Sequence, residues 1–168
     1  MIIISIYVIL SFLLDCIMSN FISINLVDPS YFRTIYTIIS IVIIYNYFEF
    51  NKKYLTIIII LGALFDIVYT NTFLLNIILF LIIYFVLKEL DYFLPNNLLT
   101  INIKSIVSIW LYHILSYLIL LLVHYNVYTI NLLGMILIRS IISTIIYTTI
   151  SYLVLNKIIE KKDLKKIK

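Results

Sequence analysis

"YLTIIIILGALFDIVYTNTFLLNIILFLIIYFVLK" (54–88) carries one charge, Asp66, before its closing lysine. Two apolar runs, 54–70 and 72–88, flank the short break "TNT" (70–72). Each approaches the roughly 20 apolar residues that cross a bilayer as a helix. The stretch therefore reads as a tight hairpin of two membrane helices, or as a partly re-entrant pair. Gly62, the single alanine Ala63 and Asp66 lie on its first half. Gly62 and Asp66 are four apart and share a helix face. In lipid, small residues let helix backbones approach closely, so this small and polar stripe has to meet protein.

The same pattern extends in both directions. Six apolar segments are expected at 2–22, 31–48, 54–70, 72–88, 104–124 and 130–155. The breaks between them are "NLVDPSYF" (25–32), with the Asp28-Pro29 turn signal, the charged "EFNKK" (49–53), "KELDYFLPNNLLTINIK" (88–104) and "HYNVY" (124–128). Of the 168 residues, 64% are hydrophobic, and mean hydropathy is +1.17. Soluble domains are about 45–50% apolar. The excess makes the bilayer the solvent and leaves no length for a separate soluble domain. The expected fold is an all-α integral membrane protein, a six-transmembrane-helix bundle over 1–155 with a basic cytoplasmic tail at 156–168.

Lys/Arg placement orients the bundle, because cytoplasmic loops carry the positive excess. With both termini cytoplasmic, Lys52, Lys53, Lys88, Lys104 and the six lysines of "NKIIEKKDLKKIK" (156–168) lie inside, and only Arg33 lies outside. The N-terminus lacks the positive region and cleavage site of a signal peptide and reads as a retained first span. The tail is either the ordinary cationic exit of the last helix or a surface helix for anionic lipid or a cytoplasmic partner.

Asp15, Asp66 and Arg139 are ionisable residues inside expected spans, at about +2.5 to +3.5 kcal/mol each on insertion scales. Counted from the outer span ends, all three fall in the outer half, within roughly 8 Å of one another in depth. Arg139 is expected to pair with Asp15, Asp66 or both, unless these charges meet a partner's helix. The inner half offers no titratable chain for an ion relay. "RSIISTIIYTTISY" (139–152) supplies hydroxyls that bond either across helices or to their own backbone.

Catalytic motifs such as H-E-x-x-H, G-x-S-x-G or a phosphate-cradling glycine loop are absent from the sequence. One cysteine, Cys16, excludes a disulfide framework or thiol metal cluster. His113 and His124 read as local hydrogen-bonding residues. Trp110, Tyr54, Tyr92, Tyr125 and Tyr128 read as interfacial anchors. The basic residues are those that membrane topology requires, so no nucleic-acid partner is expected, and no cofactor either.

With these residues in view, the chain resembles the bacterial rod shape-determining MreD family in length, hydropathy and topology. The matching features are "GALFD" (62–66), where the family tends to have Gly-Leu-x-x-Asp, the proline of "DP" (28–29) leading into the second span, and the lysine-ended exit of the last span. Ile58 and "TNTFLLN" (70–76) stand where the family often has glycine. The resemblance implies a fold similar to the substrate-binding subunits of energy-coupling-factor transporters. It implies a non-enzymatic scaffold of the bacterial cytoplasmic membrane that binds MreC. Through MreC it would couple MreB filaments to a RodA-type glycosyltransferase and a class B penicillin-binding protein in peptidoglycan synthesis. The interaction residues would then be Gly62, Ala63, Asp66, Asp15, Arg139 and Pro29. The rival reading is a vitamin-binding subunit of such a transporter, which would carry alanine-rich docking motifs on span 1; that span has no alanine.

Overall fold

The computed structural model describes residues 2–22, 34–48, 52–70, 74–124 and 129–166. Every element among them is helical: α1 (Ile2–Ile22), α2 (Tyr36–Phe48), α3 (Lys52–Phe65), α4 (Leu75–Phe93), α5 (Leu98–Leu122) and α6 (Ile130–Lys166). A single π-helical turn, Asp66–Thr70, prolongs α3. Apart from two, the helix ends fall within five residues of the ends of the apolar segments. α5 opens at Leu98 instead of 104, because a reciprocal cap sets its start: Asn97 Oδ1 accepts from the Thr100 amide at 2.9 Å, and Thr100 Oγ1 accepts from the Asn97 amide at 3.0 Å. α6 runs without a break through the boundary expected at 155.

The bundle is organised around α2. Its residues 37–45, "TIISIVIIY", are all at most 4% exposed. A run so rich in β-branched residues favours a strand by propensity alone. Enclosure on every side overrides that preference, since a helix satisfies its backbone groups within the segment. α2 packs against all five other helices. Around it, α3 adjoins α4, α4 adjoins α5, and α5 adjoins α6. The circuit closes through side chains. The Ser11 and Tyr147 hydroxyls are 2.9 Å apart between α1 and α6, and the Tyr69 hydroxyl donates to the Phe12 carbonyl of α1 at 3.0 Å. Phe12 also meets Phe65 and Tyr69 edge-on.

The outward faces of the surrounding helices are apolar: Ile9 and Leu13 of α1, Ile60 of α3, Phe85 of α4, Leu118 of α5, and Ile138 and Ile146 of α6 are all exposed. Two helical stretches, Leu98–Leu122 and Ile130–Ile159, are long and apolar enough to cross a membrane. Shorter apolar stretches are Ile4–Met18, Tyr36–Asn46 and Tyr54–Tyr69.

Candidate functional site

The first four amides of any helix lack a partner within it. α2 begins inside the bundle, and the residue before it, Ile35, has no side-chain acceptor to offer. Asp15 supplies one from α1. Its Oδ1 accepts from the Tyr36 amide at 2.9 Å; its Oδ2 accepts from the Thr37 amide at 2.7 Å and from the Thr37 hydroxyl at 2.5 Å. One carboxylate thus satisfies the first two amides of α2, where the positive end of the helix dipole favours a negative charge.

Asp66 repeats the arrangement one hairpin later. The residue before α4, Leu74, has a left-handed backbone (φ 67°) and makes no side-chain cap. Asp66 Oδ1 accepts from the Asn76 amide at 3.0 Å and from the Asn76 Nδ2 at 2.9 Å. Asn76 Oδ1 in turn accepts from the Tyr112 hydroxyl of α5 at 2.8 Å. Three buried groups on three helices form a chain whose donors all point toward the carboxylate. Hydrogen bonds to a charged acceptor contribute about 1.5–3 kcal/mol each, so this chain does much to hold α3, α4 and α5 in register.

Gly62 explains how Asp66 reaches α4. A Cβ built on Gly62 would lie 2.7 Å from the Ile77 Cα and 3.0 Å from the Ile77 nitrogen. The two backbones touch there, one turn before Asp66. The Gly62–Asp66 face is therefore turned to α4, inside the bundle. Ala63, the next residue, is half-buried.

The expected pairing of Arg139 with Asp15 or Asp66 does not form. Asp15 is engaged by α2 and Asp66 by α4, and no ion pair joins Arg139 to either among the described residues. Arg139 is half-buried on α6, and its Nη1 is enclosed without a hydrogen-bond partner among the described residues. Matched depth and opposite sign suggested a salt bridge, but backbone amides at helix starts were the stronger claimants. Pro29 and Arg33 lie outside the described residues.

An ion pair does form elsewhere. Lys104, expected at a cytoplasmic loop, sits in the second turn of α5 with its side chain wholly buried. Its Nζ donates to Asp91 Oδ1 at 2.6 Å and to Asn96 Oδ1 at 2.9 Å. This ties the end of α4 to the turn that leads into α5.

Two aromatic anchors are also reassigned. Tyr54 is fully buried, donates to the Ile41 carbonyl of α2 at 2.7 Å and packs against Tyr45 and Tyr84. Trp110 is half-buried, and its indole N–H donates to the Leu137 carbonyl at 3.0 Å, joining α5 to α6. Tyr92 is exposed; Tyr125 and Tyr128 lie outside the described residues. His113 is buried in α5. The Ser/Thr-rich face of α6 divides its bonds. Thr144 and Ser140 hydroxyls donate to their own helix at Ser140 and Leu137, while Thr149 accepts from Asn102 across to α5 at 3.2 Å. Ser143 meets Thr34 beside the start of α2.

Asn76, Tyr112 and Thr37 were not singled out by the sequence. Asn76 carried a signal: a polar residue opening an otherwise apolar run, ten residues after Asp66. Among the described residues, no group of three or more His, Cys, Asp or Glu side chains could hold a metal ion. No family model, curated protein or solved structure matches the chain.

Proposed function

We propose that the chain is a multi-pass protein of a bacterial cytoplasmic membrane, with six spans and both termini cytoplasmic, acting as a non-enzymatic scaffold. The observation that carries this reading is the arrangement of polarity. The polar groups Asp15, Asp66, Asn76 and Tyr112 are spent on helix-to-helix bonds around a fully enclosed α2, and apolar side chains cover the outward faces of its five neighbours. In water such a surface aggregates; in lipid it is matched. α1 runs antiparallel to α6, since Ser11 meets Tyr147 while Ile6 and Tyr7 line a groove with Ser151, Val154 and Ile158, and this supports an even number of spans.

Within that class, the resemblance to the MreD family favours a role in cell elongation through MreC. The proposed contact changes, however. The Gly62–Asp66 face is occupied by α4, so MreC is to be sought on an outward face, not at this stripe. The test is co-purification of the tagged chain with a neighbouring-gene product that has one N-terminal span, a coiled coil and an extracytoplasmic β-domain, together with depletion of the chain in its host. Loss of rod shape and recovery of the partner are expected. Unchanged cell shape with no partner recovered would remove the elongation role. Retained export of an alkaline phosphatase fused after residue 168 would remove the orientation.

A further inference from the structure

The face that α5 turns to α4 carries a polar stripe. Lys104, Ser105, Ser108 and Tyr112 fall within about 100° of the helix circumference at 3.6 residues per turn, and all four are at most 8% exposed. Both ends of the stripe are bonded to α4: Lys104 Nζ donates to Asp91, and the Tyr112 hydroxyl donates to Asn76. Ser105 and Ser108 lie between them, 0% and 1% exposed. The buried residues of α4 between Asn76 and Asp91 are Leu79, Phe80, Ile83, Tyr84 and Leu87, a wall with little to offer a hydroxyl. Neither Ser105 Oγ nor Ser108 Oγ has a hydrogen-bond partner among the described residues.

A serine within a helix has one acceptor close at hand, a carbonyl three or four residues back. The buried hydroxyls of Ser11, Ser40 and Ser140 all donate there, to the carbonyls of Tyr7, Thr37 and Leu137. Ser105 and Ser108 forgo it. Leaving a buried hydroxyl unbonded forfeits its full hydration, so two that turn from the nearest acceptor are directed to another partner. Side chains three apart on a helix lie about 5–6 Å from each other. A molecule bonded to both hydroxyls at about 2.8 Å spans about 5.6 Å. One water molecule matches that spacing, and it both donates and accepts, as each hydroxyl does.

We infer that Ser105 and Ser108 hold an ordered water molecule inside the bundle at the α4–α5 interface, between the Lys104–Asp91 pair and the Tyr112–Asn76–Asp66 chain. Charge selects a neutral occupant. A metal cation would sit beside the Lys104 ammonium, and an anion would lie between the Asp91 and Asp66 carboxylates. Buried waters bond to two to four polar groups, and the two hydroxyls meet that need where α4 supplies none. The site stands apart from the scaffold reading and holds whether or not the outward faces meet lipid.

The test is X-ray radiolytic labelling of the full chain in mild detergent, with oxidised residues read by mass spectrometry. Hydroxyl radicals formed from a held water oxidise the side chains beside it, even where bulk solvent does not reach. Ile101 and Ile109, 1% and 0% exposed, lie four residues to either side of Ser105 and share its face. Both should oxidise faster than Ile58 of α3, which is equally enclosed at 0%. The double variant S105A/S108A should lose that excess, because an apolar gap stays dry. Oxidation of Ile101 and Ile109 at the rate of Ile58 in the unaltered chain would overturn the site, and needs no variant to fold. Undiminished labelling in a folded double variant would overturn it as well.

Discussion

Gly62→Ala tests the α3–α4 contact directly. The new Cβ would lie 2.7 Å from the Ile77 Cα, whereas ordinary contact begins at 3.4 Å. The obstacle is backbone and cannot rotate away, so the helices must separate by at least the 0.7 Å between those values. Unless Asp66 follows, its 3.0 Å bond from the Asn76 amide stretches to about 3.7 Å, beyond hydrogen-bonding range. Overpacking costs about 2 kcal/mol and the weakened charge-assisted bond about 1.5 kcal/mol, while alanine's helix preference over glycine offsets about 1 kcal/mol. The net loss is about 2.5 kcal/mol, or a fall in midpoint of about 5–10 °C by the scaling for chains of this length. Thermal unfolding of the detergent-solubilised chain by circular dichroism reads it. The other glycine is the control: a Cβ on Gly134 meets nothing within 4 Å, so Gly134→Ala should be neutral or stabilising by about 1 kcal/mol. Asp66→Asn should also cost less in the Gly62→Ala background than alone, because the two act on one contact. Equal stability of Gly62→Ala and Gly134→Ala would refute the backbone contact.

Asp15→Ala should destabilise by about 2 kcal/mol, the upper end for a lost helix cap, and Arg139→Gln should not relieve it; relief in the double variant would restore the discarded ion pair. Reversing Asp66 and Arg139 together should be no better than the worse single reversal, as measured by folded yield in membranes. At the α4–α5 turn, Asp91→Ala should cost about 3–5 kcal/mol because it leaves the buried Lys104 ammonium without its carboxylate. Lys104→Met, which leaves only a partly exposed acid behind, should be milder; the opposite order in unfolding midpoints would contradict the burial of Lys104. Tyr54→Phe should cost about 0.5–1.5 kcal/mol, the net value of one hydrogen bond, because the Ile41 carbonyl keeps its helical bond within α2; helical content should be unchanged at low temperature.

The positions of the helices were legible because hydropathy and turn residues mark their ends. Their arrangement was not. In a water-soluble bundle an enclosed helix stands out by being apolar all round. Here the peripheral helices are apolar on their outward faces as well, so nothing in "TIISIVIIY" distinguishes a centre from an edge. The close approach at Gly62 was readable, since one glycine in an isoleucine-rich helix has few other uses. The partners of Asp15 and Asp66 were missed for a different reason. Side-chain charges are counted in a sequence, but the partial positive charge at a helix start belongs to the backbone and appears only once the helix is placed. Lys104 was assigned to a loop because Pro95 and the adjacent asparagines mark a break; that Asn97 also starts the next helix was the detail that placed the lysine inside it.

The two carboxylate caps have a consequence for assembly. α2 and α4 each obtain an acceptor for their opening amides from the helix made before them, Asp15 for α2 and Asp66 for α4. Neither start is completed by the residue immediately before it. As the chain emerges from the ribosome, the earlier member of each pair already carries the fitting for the later one. The pairs α1–α2 and α3–α4 are therefore the natural units of assembly. Trimming the chain within α1 removes the cap of a helix whose own sequence is untouched.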